Sequence, residues 1–172
     1  MTQTVELLLD PASEAWVHDQ WTALRTAGLP SLADHTGASN RPHVTVCVVP
    51  AVDVRLEGRL APRSPFRVTL GPPRTFGHDP VVLVRPVLAG DDLRAYQADA
   101  AALLGASADD LTSPARWSPH VTLARRLARS RVADALAVIE ASTGLGERRA
   151  ELGPARRWDS AQHRAWLLDP GL

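Results

Sequence analysis

The chain contains no lysine; all 19 of its basic residues are arginine. Nineteen acidic residues balance them, so the formal net charge is zero. That balance excludes a long non-specific nucleic-acid groove, which needs a basic field. It leaves room for a single phosphate in a local cleft, and the planar fork of arginine suits phosphate better than a lysine point charge. Cysteine is almost missing as well. Cys47 stands alone among 172 residues, which rules out an intrachain disulfide and fits a reducing compartment. No apolar run approaches the roughly 20 residues a membrane span needs. The opening MTQTVELLLD lacks the basic start and long apolar stretch of a signal peptide. Low-complexity tracts are absent, and so is any linker that would separate independent domains. These absences lead to the expectation of a soluble, cytoplasmic monomer, with residues 1–172 forming one domain of two lobes.

What is present is an ordinary globular composition with 45% hydrophobic residues. Residues 4–9 read as a buried strand. Asp10 followed by Pro11 is a helix start, a capping carboxylate ahead of a residue pre-set for the first turn. Val17, Trp21 and Leu24 continue at helical spacing until Gly28 and Pro30. Strands are expected at 43–49, 66–70, 81–88 and 119–124, with Pro86 suiting an edge or a strand end. Residues 71–80 read as a turn-rich connector. A second helix is expected to be capped by Asp91 or Asp92, and a third to open at Ser130. The tail reads as a hairpin, 147–158 and 164–168. Each half of the chain thus holds a helix and one histidine-bearing strand, an α+β arrangement of two lobes.

Those two strands carry the main signal. SNRPHVTV at 39–46 is echoed by RWSPHVTL at 116–123. Side chains alternate along a strand, so His43 and Thr45 share one face while Val44 and Val46 point to the core. His120 and Thr122 repeat this, with Val121 and Leu123 behind them. If the strands face each other, two imidazoles and two hydroxyls surround one spot. That set suits a phosphodiester. Hydrolysis needs a base for water and an acid for the leaving oxygen, and imidazole serves as either near neutral pH. The hydroxyls can bond the non-bridging oxygens as charge grows on them. A single His-x-Thr is usually a half-buried histidine beside a strand-favouring neighbour; the matched pair carries the argument. A zinc site lacks a third ligand at recognisable spacing, with Cys47 two residues past Thr45. His18, His35, His78 and His163 read as solvated side chains.

The motifs PHVTV and PHVTLAR resemble the paired His-x-Thr-x motifs of the two-histidine (2H) phosphoesterase superfamily, and most of all its 2'-5' RNA ligase-like branch of RNA 2',3'-cyclic phosphodiesterases. The resemblance spans nearly the whole chain. It implies a bilobal α+β fold, with two pseudo-symmetric antiparallel sheets and flanking helices around a central cleft. It implies opening of a 2',3'-cyclic phosphate, on an RNA end or a small cyclic nucleotide, to a 2'-phosphate with neither metal nor cofactor. His43 and His120 match the catalytic histidines, Thr45 and Thr122 the phosphate-binding hydroxyls, and Arg125 an arginine that approaches the phosphate. Regular strand parity puts Arg125 on the face opposite His120, which makes Arg126 its rival. Asn40, Arg41, Arg116 and Trp117 lead into the motifs. Phe76, Trp117 and Trp158 are candidate platforms for a base, while Trp16, Trp21 and Trp166 fit the core. His120 is assigned as base and His43 as acid, an order the motif symmetry leaves open. Two alternatives stand beside this reading: a phosphodiesterase for a small cyclic-phosphate metabolite, and a nucleotide- or RNA-end-binding module. A pure binder would hold nucleotide tightly and release no product.

Overall fold

The computed structural model describes residues 2–37 and 39–170. Strand β1 (Gln3–Leu9) leads into helix α1 (Pro11–Thr26), and the chain returns as β2 (His43–Val49), antiparallel to β1. Asp10 caps α1 through Oδ1, which accepts from the Ser13 N–H at 2.9 Å, with Pro11 in the first turn. The same unit recurs later: β5 (Val81–Leu88), helix α3 (Asp91–Leu103), then β6 (His120–Leu127), antiparallel to β5. Each motif histidine is the first residue of the returning strand.

The remaining elements join the two units. A short α2 (Glu57–Leu60) precedes β3 (Phe66–Leu70) and β4 (Arg74–Phe76). After β6 come α4 (Val132–Ser142), β7 (Arg148–Asp159) and β8 (Arg164–Leu167). One sheet runs β2-β1-β7-β3, with β8 also on β7, and the other is β4-β5-β6. A two-residue bridge, Thr69 to Leu88 and Leu70 to Val87, couples them into one antiparallel network of eight strands. The bilobal α+β architecture expected from the sequence is thus present, with the two sheets continuous at β3–β5.

The apolar stripe of α1 (Val17, Trp21, Leu24) is buried, and α1 packs against α4 and β6, while α3 packs against β2. Each returning strand is therefore covered by the helix of the other unit. The two halves close a common core that includes Leu7, Leu24, Val44, Leu83, Leu123, Ile139 and Leu152. Arg85 of β5 is fully buried in it, with no carboxylate partner among the described residues. Its guanidinium donates to Gln20 Oε1 and to the carbonyls of Gly71, Gly144 and Gly146, and lies over the Trp16 ring at 4.5 Å. Burial pushes its pKa down to about 10.

Several local expectations need correction. The segment 71–80 holds a strand, β4, which its Gly and Pro residues masked. Gly90, not Asp91 or Asp92, occupies the cap of α3, and the two aspartates fall in its first turn. Ser130 lies in a short 3-10 turn, Arg129–Arg131, and α4 begins at Val132. β5 is not an edge strand; Pro86 falls between the residues that pair with β4 and those that pair with β3. Among the described residues, no helix is long and apolar enough to cross a membrane.

Candidate active site

The two motif histidines are anchored alike. Each follows a proline, which fixes the approach of the chain and brings no N–H of its own. His43 Nδ1 lies 2.7 Å from the Arg41 carbonyl oxygen, and His120 Nδ1 lies 2.7 Å from that of Ser118. A carbonyl only accepts, so Nδ1 carries the hydrogen in both rings, and Nε2 is the nitrogen left to exchange a proton.

The repeat extends past the tetrapeptide into the backbone. Glu6 pairs with Thr45 and Val5 with Cys47, which leaves Val46 as an extra residue on β2. Val84 pairs with Thr122 and Leu83 with Ala124, which leaves Leu123 as an extra residue on β6. The same β-bulge thus follows both threonines, burying two consecutive residues and reversing the alternation beyond it. The parity objection to Arg125 disappears as a result. The bulge turns Arg125 onto the cavity that His43 and Thr45 line. Arg126 is exposed and takes φ 56°, the left-handed region an arginine rarely adopts, at a second irregularity of the β5–β6 ladder.

Two indoles cross between the halves. Trp21 on α1 donates its Nε1–H to the Thr122 carbonyl at 3.0 Å. Trp117, ahead of the second motif, donates to the Thr45 carbonyl at 2.9 Å. Each half therefore grips the motif strand of the other at the threonine itself. This commits Trp117 to the buried interior and removes it as a base platform.

The cavity beside the first motif has a volume of about 700 Å³. Glu6, His43, Thr45, Arg125 and Arg156 line it. Asp34, His35, Asn40, Trp158 and His163 line it as well. Trp158 is half-buried there, its ring 6.2 Å from that of His163. His120 and Thr122 are half-buried on β6 and are not among this cavity's lining residues. The His120 and Phe76 rings stand nearly perpendicular, their centroids 5.0 Å apart. Burial holds its pKa below the ordinary imidazole value. The Ser118 carbonyl opposes that shift, and the charges of His43, Arg125 and Arg74 add to it. A second cavity, of about 930 Å³, is lined by Arg67, Thr69, Arg149 and Glu151 and holds no motif residue.

The residues that lead into the motifs have structural partners. Arg41 places its guanidinium on the Glu14 carboxylate, at 2.8 and 2.5 Å. Asn40 donates to the carbonyls of Leu32 and His35 and fastens the loop ahead of β2. Arg116 is exposed. Trp166 is half-buried between the guanidinium groups of Arg157 and Arg164, not in the core as its pattern suggested. Cys47 is buried behind the bulge, where burial pushes its thiol up to about 12. Among the described residues, no three histidine, cysteine or acidic side chains gather as a metal site.

Sequence reasoning missed Glu6 and Arg156. Both are buried, and Arg156 Nε donates to Glu6 Oε2 at 2.7 Å. Glu6 Oε1 lies 3.5 Å from His43 Nε2 and accepts from the Thr4 hydroxyl at 2.6 Å. The signal was a lone carboxylate in the apolar strand VELLL, where a charge is rarely buried without a partner.

A model of the 2'-5' RNA ligase superfamily matches residues 11–159. No curated protein matches the sequence. Among solved structures, one described as a phosphoesterase is similar over 98% of each chain, with a TM-score of 0.50 and 16% identity. Usb1 of Kluyveromyces marxianus is similar over 98% of this chain and 97% of its own, with a TM-score of 0.49 and 12% identity. Its complex with uridine monophosphate gives a TM-score of 0.46 at the same identity and coverage. The first of these likenesses concerns the fold alone, and the family match spans most of the chain, both motifs included. The chain belongs to the 2'-5' RNA ligase superfamily of two-histidine phosphoesterases.

Proposed function

We propose that the protein opens 2',3'-cyclic phosphates, on RNA ends or small nucleotides, to 2'-phosphates, with His43 and His120 as its acid and base. One observation carries this reading: the same Nδ1 anchor to a backbone carbonyl holds both imidazoles, and leaves Nε2 of each as the nitrogen that exchanges a proton, that of His43 beside Glu6 Oε1 at 3.5 Å. Water attacks phosphorus in line with the 3'-oxygen and gives its proton to His120 Nε2. The P–O3' bond breaks, and the departing oxygen takes the proton from His43 Nε2. Exchange with solvent then restores both rings. The lowered pKa of His120 suits the base, which must start neutral. The hydroxyls of Thr45 and Thr122 and the guanidinium of Arg125 serve the non-bridging oxygens. No step calls for a metal. A 5'-hydroxyl in place of water would join the cyclic phosphate in a 2'-5' bond: His120 takes the hydroxyl proton, the P–O3' bond breaks, and His43 protonates the departing 3'-oxygen.

A cavity of 700 Å³ is of the size that takes a nucleotide, and the neutral chain favours a short end over a long strand. The test is hydrolysis of 2',3'-cyclic AMP and of a cyclic-phosphate-ended oligonucleotide with EDTA present. The expected product is the 2'-phosphate. His43→Ala and His120→Ala each lower turnover by about 10²–10⁴ with the fold retained. A 3'-phosphate product overturns the assigned leaving group. Loss of activity to EDTA with recovery on zinc overturns the metal-free scheme. Tight nucleotide binding without turnover supports a binding module instead.

A further inference from the structure

The two motifs are so alike that something outside them must divide the roles of acid and base. Resting on the cyclic-phosphate reading above, we propose that Glu6, held against Arg156 on the neighbouring strand, is the positioning residue that reserves the acid role for His43. The argument starts from register. Opposite Thr45 on β1 stands Glu6, and opposite Glu6 on β7 stands Arg156. Opposite Thr122 on β5 stands Val84, and opposite Val84 on β4 stands Arg74. Both halves thus place threonine and arginine at the ends of the same three-strand row. They differ at the centre, where one has a carboxylate and the other an apolar side chain.

The consequence is electrostatic. His43 touches a cation and an anion together. Arg156 Nη2 approaches its Nδ1 at 3.4 Å, and Glu6 Oε1 approaches its Nε2 at 3.5 Å. The carboxylate and the guanidinium, paired with each other, set opposite charges against the two nitrogens of the ring. The other charged or titratable groups around His43 are Arg125 and His120 from β6, and Asp34, His35 and His163 of the same cavity lining. Among the described residues, the charges that act on His120 are those of His43, Arg125 and Arg74, all cationic. A neutral Glu6–Arg156 pair also spares an incoming phosphate the repulsion of a bare carboxylate.

Glu6→Gln keeps the size and an acceptor for Arg156 while removing the charge. The expected result is a shift of the alkaline limb of the kcat/KM profile to lower pH by about one unit, the acidic limb staying in place. Adding Arg156→Met to Glu6→Gln removes the uncancelled cation and returns the limb toward its original position. A variant that is merely damaged lowers the whole profile without moving a limb, and that result overturns the proposal. So does movement of the acidic limb alone, which would make His43 the base. Proton NMR titration of the histidine rings in the free protein, assigned through the His→Ala variants, reads the same coupling without substrate. The His43 midpoint should fall in Glu6→Gln by a similar amount, with His120 moving far less. A shift in the free protein without turnover of any cyclic phosphate would sink the activity but leave the pairing intact; unmoved His43 resonances sink the pairing itself.

Discussion

The two halves share a strand, a helix, a proline-led histidine, a threonine and a bulge, yet they set these parts in different surroundings. Around His43 the neighbours are ionic: Glu6 and Arg156, both buried, and the half-exposed loop that Asn40 ties down. Around His120 they are aromatic and cationic: Phe76 at its ring, with Arg74 and Arg125 nearby. Duplicated motifs by themselves would give two equivalent imidazoles. A reaction that needs one proton donor and one acceptor requires that they differ, and the difference here lies in the sheet beneath the motifs. In the proposed reaction the motif would supply the reacting groups, and the neighbouring strands would decide what each one does.

The largest way to break this comparison is to remove the arginine from each three-strand row. Arg156→Met leaves the Glu6 carboxylate buried without its partner. The expected loss is about 3–5 kcal/mol of unfolding free energy, measured by denaturant titration. Arg74→Met takes away the corresponding arginine of the second half, which is exposed and has no carboxylate opposite it. It should change stability by less than about 0.5 kcal/mol. Glu6→Gln combined with Arg156→Met should recover much of the loss, since no charge is then stranded. Equal costs for the two arginines would mean that Glu6 does not distinguish the halves energetically.

The crossed indoles test the opposite claim, that the halves are equivalent where they grip each other. Trp21→Phe and Trp117→Phe each keep a ring and delete one N–H bonded to a motif carbonyl. Each should cost about 1–3 kcal/mol, since a buried carbonyl is left short of a donor. Turnover should fall in both, because the strand loosened belongs to the other half's motif. A loss confined to one of them would show that only one clasp holds its strand.

Much of this fold was legible in the sequence because its signals are local. Asp10–Pro11 marks a helix start by capping chemistry, and the runs at 43–49, 66–70 and 81–88 announce strands by alternation or apolarity. The motif repeat located the histidines because two like tetrapeptides need no structure to be compared. What was hidden depends on pairing between distant segments. The bulge that turns Arg125 is a property of the β5–β6 register, which no residue of β6 declares. The Glu6–Arg156 pair joins residues 150 positions apart. Strand β4 was masked because three residues between Pro73 and Gly77 are too short for a period to show, and the partner strand β5 makes the strand. Arg85 reads as a strand charge, while its partners are carbonyls of a loop some 60 residues on.

The smallest expected effect concerns His120 and its cations. Arg74 and Arg125 both disfavour the charged imidazole, behind the larger contribution of burial. Removing a cation favours protonation, so Arg74→Met should raise the pKa of His120 toward its ordinary value. As His120 is the proposed base and acts only when neutral, the acidic limb of the pH–rate profile then moves to higher pH. Arg74 is exposed and screened, which limits the shift to about half a pH unit or less. The alkaline limb, set in this scheme by His43 with Glu6 and Arg156, should not follow. A paired measurement of both limbs in Arg74→Met and Glu6→Gln therefore separates the halves. Each substitution should move one limb only, in opposite directions, and a profile whose two limbs move together would mean that the imidazoles titrate as one coupled pair.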